Sequence, residues 1–425
     1  MKCESVHGSG EHDKMNHRYR VLMLAPTGFF SDYGCHVRIL EEASVLQKRG
    51  HRLSICTYHR GRDLAGLDVL RIPRVPWGRD YSMGSSWHKL TFDAMLLVRS
   101  LAACRENPPH LIHAFLHEGA WVGSFLSRIL HVPLVFDYQG SLTGEMGDHG
   151  FLRRNSVLYK TLQRLEVHIN NLPDAIITSS AHAAQLLRSD LGCRCPVIRT
   201  VPDCVDTTRF RPMPADGVGA RRQELGLTNT GCVVAYLGKL ADYQGTDLLL
   251  DAAVQLCATH PALHFLVMGY PHVREYREKA ANLGLAGRIT FTGRIPYEQA
   301  AEYLALADIA VAPKISETES NGKLLNYMAV GLPTVAFDTP VAHEYLGAWG
   351  QYATAQDASS LAAAIGDLLC SESQREYLGQ QLRKRARRLY AWESAGDRIE
   401  RVYQLVCQQT TRGEVVPSYS GKIGV

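Results

Sequence analysis

The chain predicts an α/β protein made of two doubly wound parallel sheets, one in each half. Short, continuous Val/Ile/Leu runs alternate with helix-length amphipathic segments from end to end, the pattern of parallel strands covered by helices on both faces. At 425 residues the chain exceeds the size at which a single core keeps growing, so two domains are expected. An irregular stretch at 202–216, containing Pro202, Pro212 and Pro214, marks the join.

In the first half, strands are expected at 20–26, 51–58, 67–75, 111–115, 133–138, 175–179 and 197–201. Between the first two the spacing predicts a helix over 33–49, with Val37, Leu40, Ser44 and Leu46 toward one face and Gly50 as its stop. Second-half strands are expected at 233–238, 264–269, 289–293, 308–313 and 334–337. No internal repeat or low-complexity segment interrupts the alternation.

Composition narrows the function classes. With 46 Lys and Arg against 42 Asp and Glu, the net charge of +4 is too small to imply nucleic-acid binding. An apolar fraction of 46% with 21% charged residues is ordinary for a soluble enzyme. No apolar run reaches membrane-spanning length, and the polar segment 1–18 lacks a signal-peptide core. A disordered lead at 1–18, a flexible tail at 409–425 and a cytoplasmic location are therefore expected. Eleven cysteines, an odd number without a CxxC pair, read as reduced thiols.

Open α/β sheets bind ligands outside the carboxyl ends of their strands, so the chemistry is sought in loops that follow strands. The most informative stretch is 317–333, ETESNGKLLNYMAVGLP. It reads as a loop opening into a short helix, with Leu324, Leu325 and Met328 on the apolar side, Gly331 as the left-handed terminator and Pro333 as the block. Lys323 falls in the first turn, where a cation opposes the helix dipole. Together with the unpaired amides of that turn it would make an anion site, most naturally for phosphate. Asn326 shares its face, and Glu317 and Glu319 stand in the loop before it. A second loop, 238–245, carries Gly238, Lys239 and Gln244 ahead of a helix; a third is the turn Gly269-Tyr270-Pro271. In the first half the candidates after strands are Gly28, Asp32, Tyr33 and His36; His113, His117 and Glu118; and Asp137, Gln139 and Glu145. Of these, Asp137 and Gln139 are favoured for facing the cleft.

Several ordered motifs resemble the retaining glycosyltransferases of GT-B fold, family 4. VPDCVDTTRFRP at 201–212 is similar to that family's hinge, YLGKLADYQGTDLLLDA to its phosphate loop, FTGRIPYEQAAEYLALADIAVAP and NYMAVGLPTVAFD to its later signatures. APTGFFSDYGCHV resembles the acceptor-side glycine loop, and the segment around Trp392 the terminal helix that crosses back. The resemblance covers about 19–404. It implies Rossmann-like lobes facing across a cleft: an acceptor-binding lobe at 19–202, a nucleotide-sugar lobe at 203–385, and a returning helix at 386–408. Departures stand out. The family's paired glutamates, with seven residues between them, fall on Thr318 and Asn326; its arginine falls on Lys239, its lysine on Gln244, and its Asn-Gly on Asp203-Cys204.

The resemblance implies transfer of a sugar, with retention, from a UDP- or GDP-linked donor to an acceptor that the sequence does not name. No cofactor and no metal are expected, because Lys239 and Lys323 would do the work of a divalent ion. Catalytic roles are assigned to Glu319, Lys239, Lys323 and Asp137. Donor binding is assigned to Gly238, Lys239, Gln244, Gly269, Tyr270, Glu317, Glu319, Asn321, Gly322, Lys323, Leu324 and Asn326; of the two glutamates Glu319 is placed first. Acceptor binding is assigned to Gly28, Tyr33, His36, His117 and Gln139. A sugar-nucleotide epimerase of the same fold, an inverting transferase and a non-catalytic partner subunit remain open. The basic run at 383–388 reads first as a solvated helix face and second as a site for anionic lipid, and Arg153, Arg154, Lys160 and Arg164 pose the same question.

Overall fold

The computed structural model describes residues 18–31, 34–75, 87–148, 152–153, 156–227, 230–316 and 320–412. Its first sheet has seven parallel strands: β1 Arg20–Ala25, β2 Arg52–Thr57, β3 Val69–Arg71, β4 Leu111–Phe115, β5 Leu134–Tyr138, β6 Ala175–Thr178 and β7 Val197–Thr200, in the order β3-β2-β1-β4-β5-β6-β7. The second has six: β8 Val233–Leu237, β9 His264–Met268, β10 Ile289–Phe291, β11 Ile309–Ala312, β12 Thr334–Phe337 and β13 Gln351–Ala353, in the order β10-β9-β8-β11-β12-β13. Central strands such as β4, β5 and β9 are buried along their whole length, as both-faces-covered parallel strands must be. Two doubly wound sheets are thus observed.

Strand order reverses between β1 and β4 in the first sheet and between β8 and β11 in the second. Connections leave in opposite directions at such points, so a crevice opens at the strands' carboxyl ends. The two crevices face one another: the Tyr270 hydroxyl, after β9, donates to the Ser31 carbonyl, after β1, at 2.9 Å. Arg62 pairs with Glu298 at 2.7 Å, and the Tyr297 hydroxyl reaches Glu41 at 3.1 Å.

The lobes also share a core. Helix Trp392–Arg412 packs against helix Gly34–Lys48, and Ile399, Val402, Tyr403 and Val406 lie buried with Ile39, Ala43 and Leu46. Each such side chain, fully buried, is worth about 1.5–3 kcal/mol, which is ample to hold the returning helix in place. Arg49 pairs with Asp397 and Glu400 at 2.8 Å each, and His51 meets Glu400 at 2.9 Å.

Four features differ from the sequence expectation. The edge strand β13, only three residues long, carried no readable periodicity. The strand expected at 67–75 contracts to β3. Helix Gly34–Lys48 buries Leu46 fully and only half-buries Val37, Leu40 and Ser44, while its other sides are covered too, so Arg38, Glu41 and Glu42 are buried as well. Finally, the basic run lies inside helix Glu372–Leu389, across the expected 385/386 boundary, and the returning helix starts at Trp392. Within that run Arg383 donates to the carbonyls of Phe210 and Ala329, and Arg385 to those of Tyr345 and Glu344. Those two cations are therefore tied to backbone, which weakens the lipid reading of that segment.

Candidate functional site

Helix Lys323–Val330 follows β11 and begins where the β8–β11 crevice opens. Gly331 ends it at φ 80°, and its N–H returns to the carbonyls of Met328 and Tyr327. The inward side is anchored by Tyr327, whose hydroxyl accepts from the Leu237 amide at 2.7 Å. That bond fixes the helix start beside the loop after β8. Lys323 lies over the Tyr236 ring, 4.4 Å from its centroid, and donates to Gln244 Oε1 at 2.8 Å and to the Tyr236 hydroxyl at 3.3 Å. Both acceptors are neutral. An ammonium so placed is held at the head of the helix, beside the loop after β8.

Two glycines make this closeness possible. A Cβ on Gly238 would stand 2.7 Å from Lys323 Nζ, and one on Gly269 would collide with the Gly238 carbonyl. The loops after β8 and β9 therefore touch, and the Leu240 amide donates to the Tyr270 carbonyl at 3.2 Å. In the preceding loop, buried Lys314 donates to the Ser320 carbonyl at 2.6 Å, shaping the approach to Asn321. Asn321 is itself buried, and among the described residues its Oδ1 has no hydrogen-bond partner. A buried acceptor left open is costly unless something supplies a donor, and a ligand hydroxyl would do so. Burial pushes the Cys35 thiol up to about 12, with Lys239 pulling against the rise, so Lys239 lies within electrostatic range of the first lobe.

The donor-side expectations thus meet in one place: Gly238, Lys239, Gln244, Gly269, Asn321, Gly322 and Lys323 border the same crevice, with half-buried Asn326 one turn along. Leu324 is a correction. Its side chain is fully buried in the core and its amide donates to the Asn321 carbonyl at 3.0 Å, so neither is open to a ligand. Tyr270 is largely occupied too, with its hydroxyl on Ser31 and Arg294 over its ring. Glu317, Thr318 and Glu319 lie outside the described residues, as do Asp32, Tyr33 and Arg154.

On the acceptor side the structure corrects three expectations. Asp137 is fully buried and does not face the cleft: Arg38 grips it with Nε at 2.9 Å and Nη2 at 2.7 Å. The alternation along β5 explains why. Phe136 and Tyr138 point to one side of the sheet, Val135 and Asp137 to the other, beneath helix Gly34–Lys48. His36 is likewise buried, with Nε2 2.6 Å from Thr27 Oγ1 and Nδ1 accepting from the Ser31 amide at 2.8 Å; it shapes the loop after β1. His117 sits against Phe136 and Tyr138, 3.6 Å from the buried Glu166 carboxylate, away from open space. Gln139 keeps a buried Nε2 with no hydrogen-bond partner, and the Gly28 carbonyl accepts from Ser31 Oγ at 2.8 Å.

Sequence reasoning missed the network around Arg38. Besides Asp137 it contacts Glu42 at 3.0 Å and, on the hinge, Asp203 at 2.9 Å. Asp203 in turn lies against Gly322, where its Oδ2 would be 3.5 Å from an added Cβ. Glu42, His113 and Asp137 have the donor types of a metal site, but the Arg38 guanidinium already supplies the cation there. The available signal was Arg38 and Glu42 at i, i+4 among apolar positions.

This network carries a pH prediction. Burial pushes the His113 imidazole down to about 4, and its Nδ1 shares a 2.7 Å hydrogen bond with the Tyr403 hydroxyl. The unfolded chain then binds this proton before the folded one does, so His113 contributes stability above pH 6.5 that is lost as pH falls toward 4. Between pH 7.5 and 5 the loss from this group is about 2 kcal/mol. Glu42, raised by burial and by Asp137, acts with the opposite sign, gaining stability as pH falls. Urea unfolding of the wild type and His113→Gln at both pH values isolates the histidine: the wild type should lose about 2 kcal/mol more than the variant. Equal losses would show that His113 is protonated in the fold.

With the geometry established, comparison with known proteins is decisive. A family model described as glycosyl transferases group 1 matches residues 219–385, and one described as a glycosyl transferase 4-like domain matches 33–204. The chain belongs to the group 1 glycosyl transferases. This group 1 transferase is 32% identical to D-inositol 3-phosphate glycosyltransferase of Acidothermus cellulolyticus over 46% of each chain. It is 26% identical to a GDP-mannose-dependent monoacylated alpha-(1-6)-phosphatidylinositol monomannoside mannosyltransferase of Corynebacterium glutamicum, over 54% of this chain and 62% of that one. The matches thus span about half to three fifths of the length of these curated relatives. Among solved structures, Anabaena HepE in complex with UDP and glucose superposes with a TM-score of 0.75 at 19% identity, covering 91% of this chain and all of HepE, a likeness of fold.

Proposed function

We propose that this group 1 transferase moves a sugar from a UDP- or GDP-linked donor to an acceptor, retaining anomeric configuration. Breaking the anomeric C–O bond leaves a nucleoside diphosphate, so negative charge grows on the pyrophosphate as an oxocarbenium-like centre forms. Fixed cations aimed at those oxygens lower the barrier most. The observation that carries the reading is Lys323, placed at a helix start in a two-lobe crevice and held by the neutral Gln244 and Tyr236. Lys239 and the amides of Gly322 and Lys323 would complete the diphosphate site, supplying charge that a divalent ion supplies in other enzymes. Glu319, or Glu317 beside it, would grip the donor sugar, Asn326 and Asn321 would take ribose or sugar hydroxyls, and Gln139 would meet the acceptor. The UDP bound to HepE and the GDP-mannose dependence of the Corynebacterium enzyme support the choice of donors. No bound cofactor is needed. A cytoplasmic location, with an acceptor at an anionic membrane surface, belongs to the same proposal; among the described residues no helix is long and apolar enough to cross a membrane.

Calorimetric titration with UDP, GDP, ADP and their common sugar conjugates tests it. One base should bind selectively, and diphosphate release from its sugar conjugate should accelerate when acceptor is supplied. Failure of every nucleotide to bind would overturn the reading.

A further inference from the structure

Ten large apolar side chains are exposed among the described residues, and seven of them fall on three neighbouring helices of the first lobe. The middle helix, Leu116–Leu130, shows a straight stripe of Trp121, Phe125 and Ile129 at i, i+4 and i+8, exposed by 39%, 44% and 59%. Helix Trp87–Glu106 on one side adds Leu90 and Val98. Helix Val157–Asn170 on the other adds Val157 and Leu158. Scattered apolar residues on a surface need no explanation, but seven on three helices packed side by side, three of them in one stripe, do.

The charges on the same helices say what covers it. Arg105, Arg128, Lys160 and Arg164 are exposed. The carboxylates are mostly engaged: Glu118 pairs with Lys89 at 2.8 Å, Asp93 accepts from the Tyr58 hydroxyl at 2.6 Å, and buried Glu166 accepts from the Leu142 and Thr143 amides. Glu106 alone among the side chains described on these helices is an exposed acid. An apolar face with a Trp and a Phe, edged by cations, matches the interface of an anionic bilayer, where rings enter the headgroup boundary and cations meet phosphate. A second copy fits poorly, because a two-fold contact would bring the same cations together. Helix Leu116–Leu130 also begins directly after β4, at the strand ends that border the crevice. A membrane seated here would therefore lie beside the cleft entrance.

We propose that this three-helix face docks the protein on an anionic phospholipid bilayer. The inference rests on the proposed function only for its consequence, that acceptor reaches the cleft from the membrane; the docking itself does not depend on the reaction. Vesicle flotation tests it, using phosphatidylcholine alone and with roughly 30% phosphatidylglycerol. The full-length protein should float with the anionic vesicles at least about tenfold more than with the neutral ones, and less as salt rises. Combining Trp121→Ser, Phe125→Ser and Ile129→Ser should abolish flotation, and combining Arg128→Ala, Lys160→Ala and Arg164→Ala should weaken it, both with unchanged Tm and unchanged nucleotide binding. Wild-type protein that stays at the bottom with anionic vesicles overturns the proposal. So does flotation of the Trp121/Phe125/Ile129 variant at the wild-type level, or a wild-type dimer in sedimentation that this variant dissociates. Nucleotide titration of the same samples keeps the two readings apart: vesicle binding without nucleotide binding would sink the transferase function and leave the docking face standing.

Discussion

Lys323→Ala should lower turnover of the nucleotide-sugar by roughly 10²–10³-fold, the usual consequence of removing one preorganised donor from a developing oxyanion. The lysine sits at the start of helix Lys323–Val330, where its charge adds to that of the helix end. Gln244 and the Tyr236 ring and hydroxyl, which it contacts, are neutral and need no cation, so those groups should lose little when it is removed. The effect should fall mainly on kcat, because the diphosphate carries more charge in the transition state than in the bound donor. Lys323→Arg retains the charge but cannot place it at the same point against Tyr236, and should recover only part of the rate. Steady-state release of nucleoside diphosphate reads both variants. Unchanged kcat and donor affinity in Lys323→Ala would remove the diphosphate assignment.

Arg38→Met carries the largest expected effect on stability. The guanidinium is shared by Asp137, Glu42 and Asp203, which belong to the first sheet, the helix above it and the hinge. Removing it strands carboxylates in a site from which water is excluded. Losing one partner of a buried ion pair costs about 3–5 kcal/mol, enough to threaten a protein of ordinary stability. Asp137→Asn in the same chain should restore part of the loss, since the neutral amide no longer needs the cation; the two substitutions should therefore be strongly non-additive. Urea unfolding of the single and double variants measures this. Additive losses would mean that Arg38 and Asp137 are not coupled as their geometry indicates. Asp203 also abuts Gly322, so the surviving Arg38→Met protein should bind nucleotide more weakly as well.

The fold was largely legible because buried parallel strands write themselves as uninterrupted apolar runs. β4 and β12 appear at the bounds read from sequence, whereas β13 is too short to leave a pattern. The loops proposed to hold the donor could be picked out for a related reason: glycines and lysines in loops after strands are conspicuous, and strand order brings those loops to one crevice. The acceptor side was not. Asp137, His36 and His117 have the residue types of chemistry, but each is buried and bonded within the first lobe. Which way a polar residue at a strand end points depends on the pleat and on the helix above it, neither of which periodicity reveals. Arg38 was hidden for the converse reason. A charged residue on a helix is read as solvated until the returning helix and hinge are known to enclose it.

A crystal structure with the selected nucleoside diphosphate bound would test the diphosphate site most directly. The expected result is the pyrophosphate between the lobes, within hydrogen-bond reach of Lys323 Nζ and the first amides of its helix, with Lys239 closing from the loop after β8. A pyrophosphate seated elsewhere, with Lys323 still on Gln244 and Tyr236 and remote from any phosphate oxygen, would contradict it.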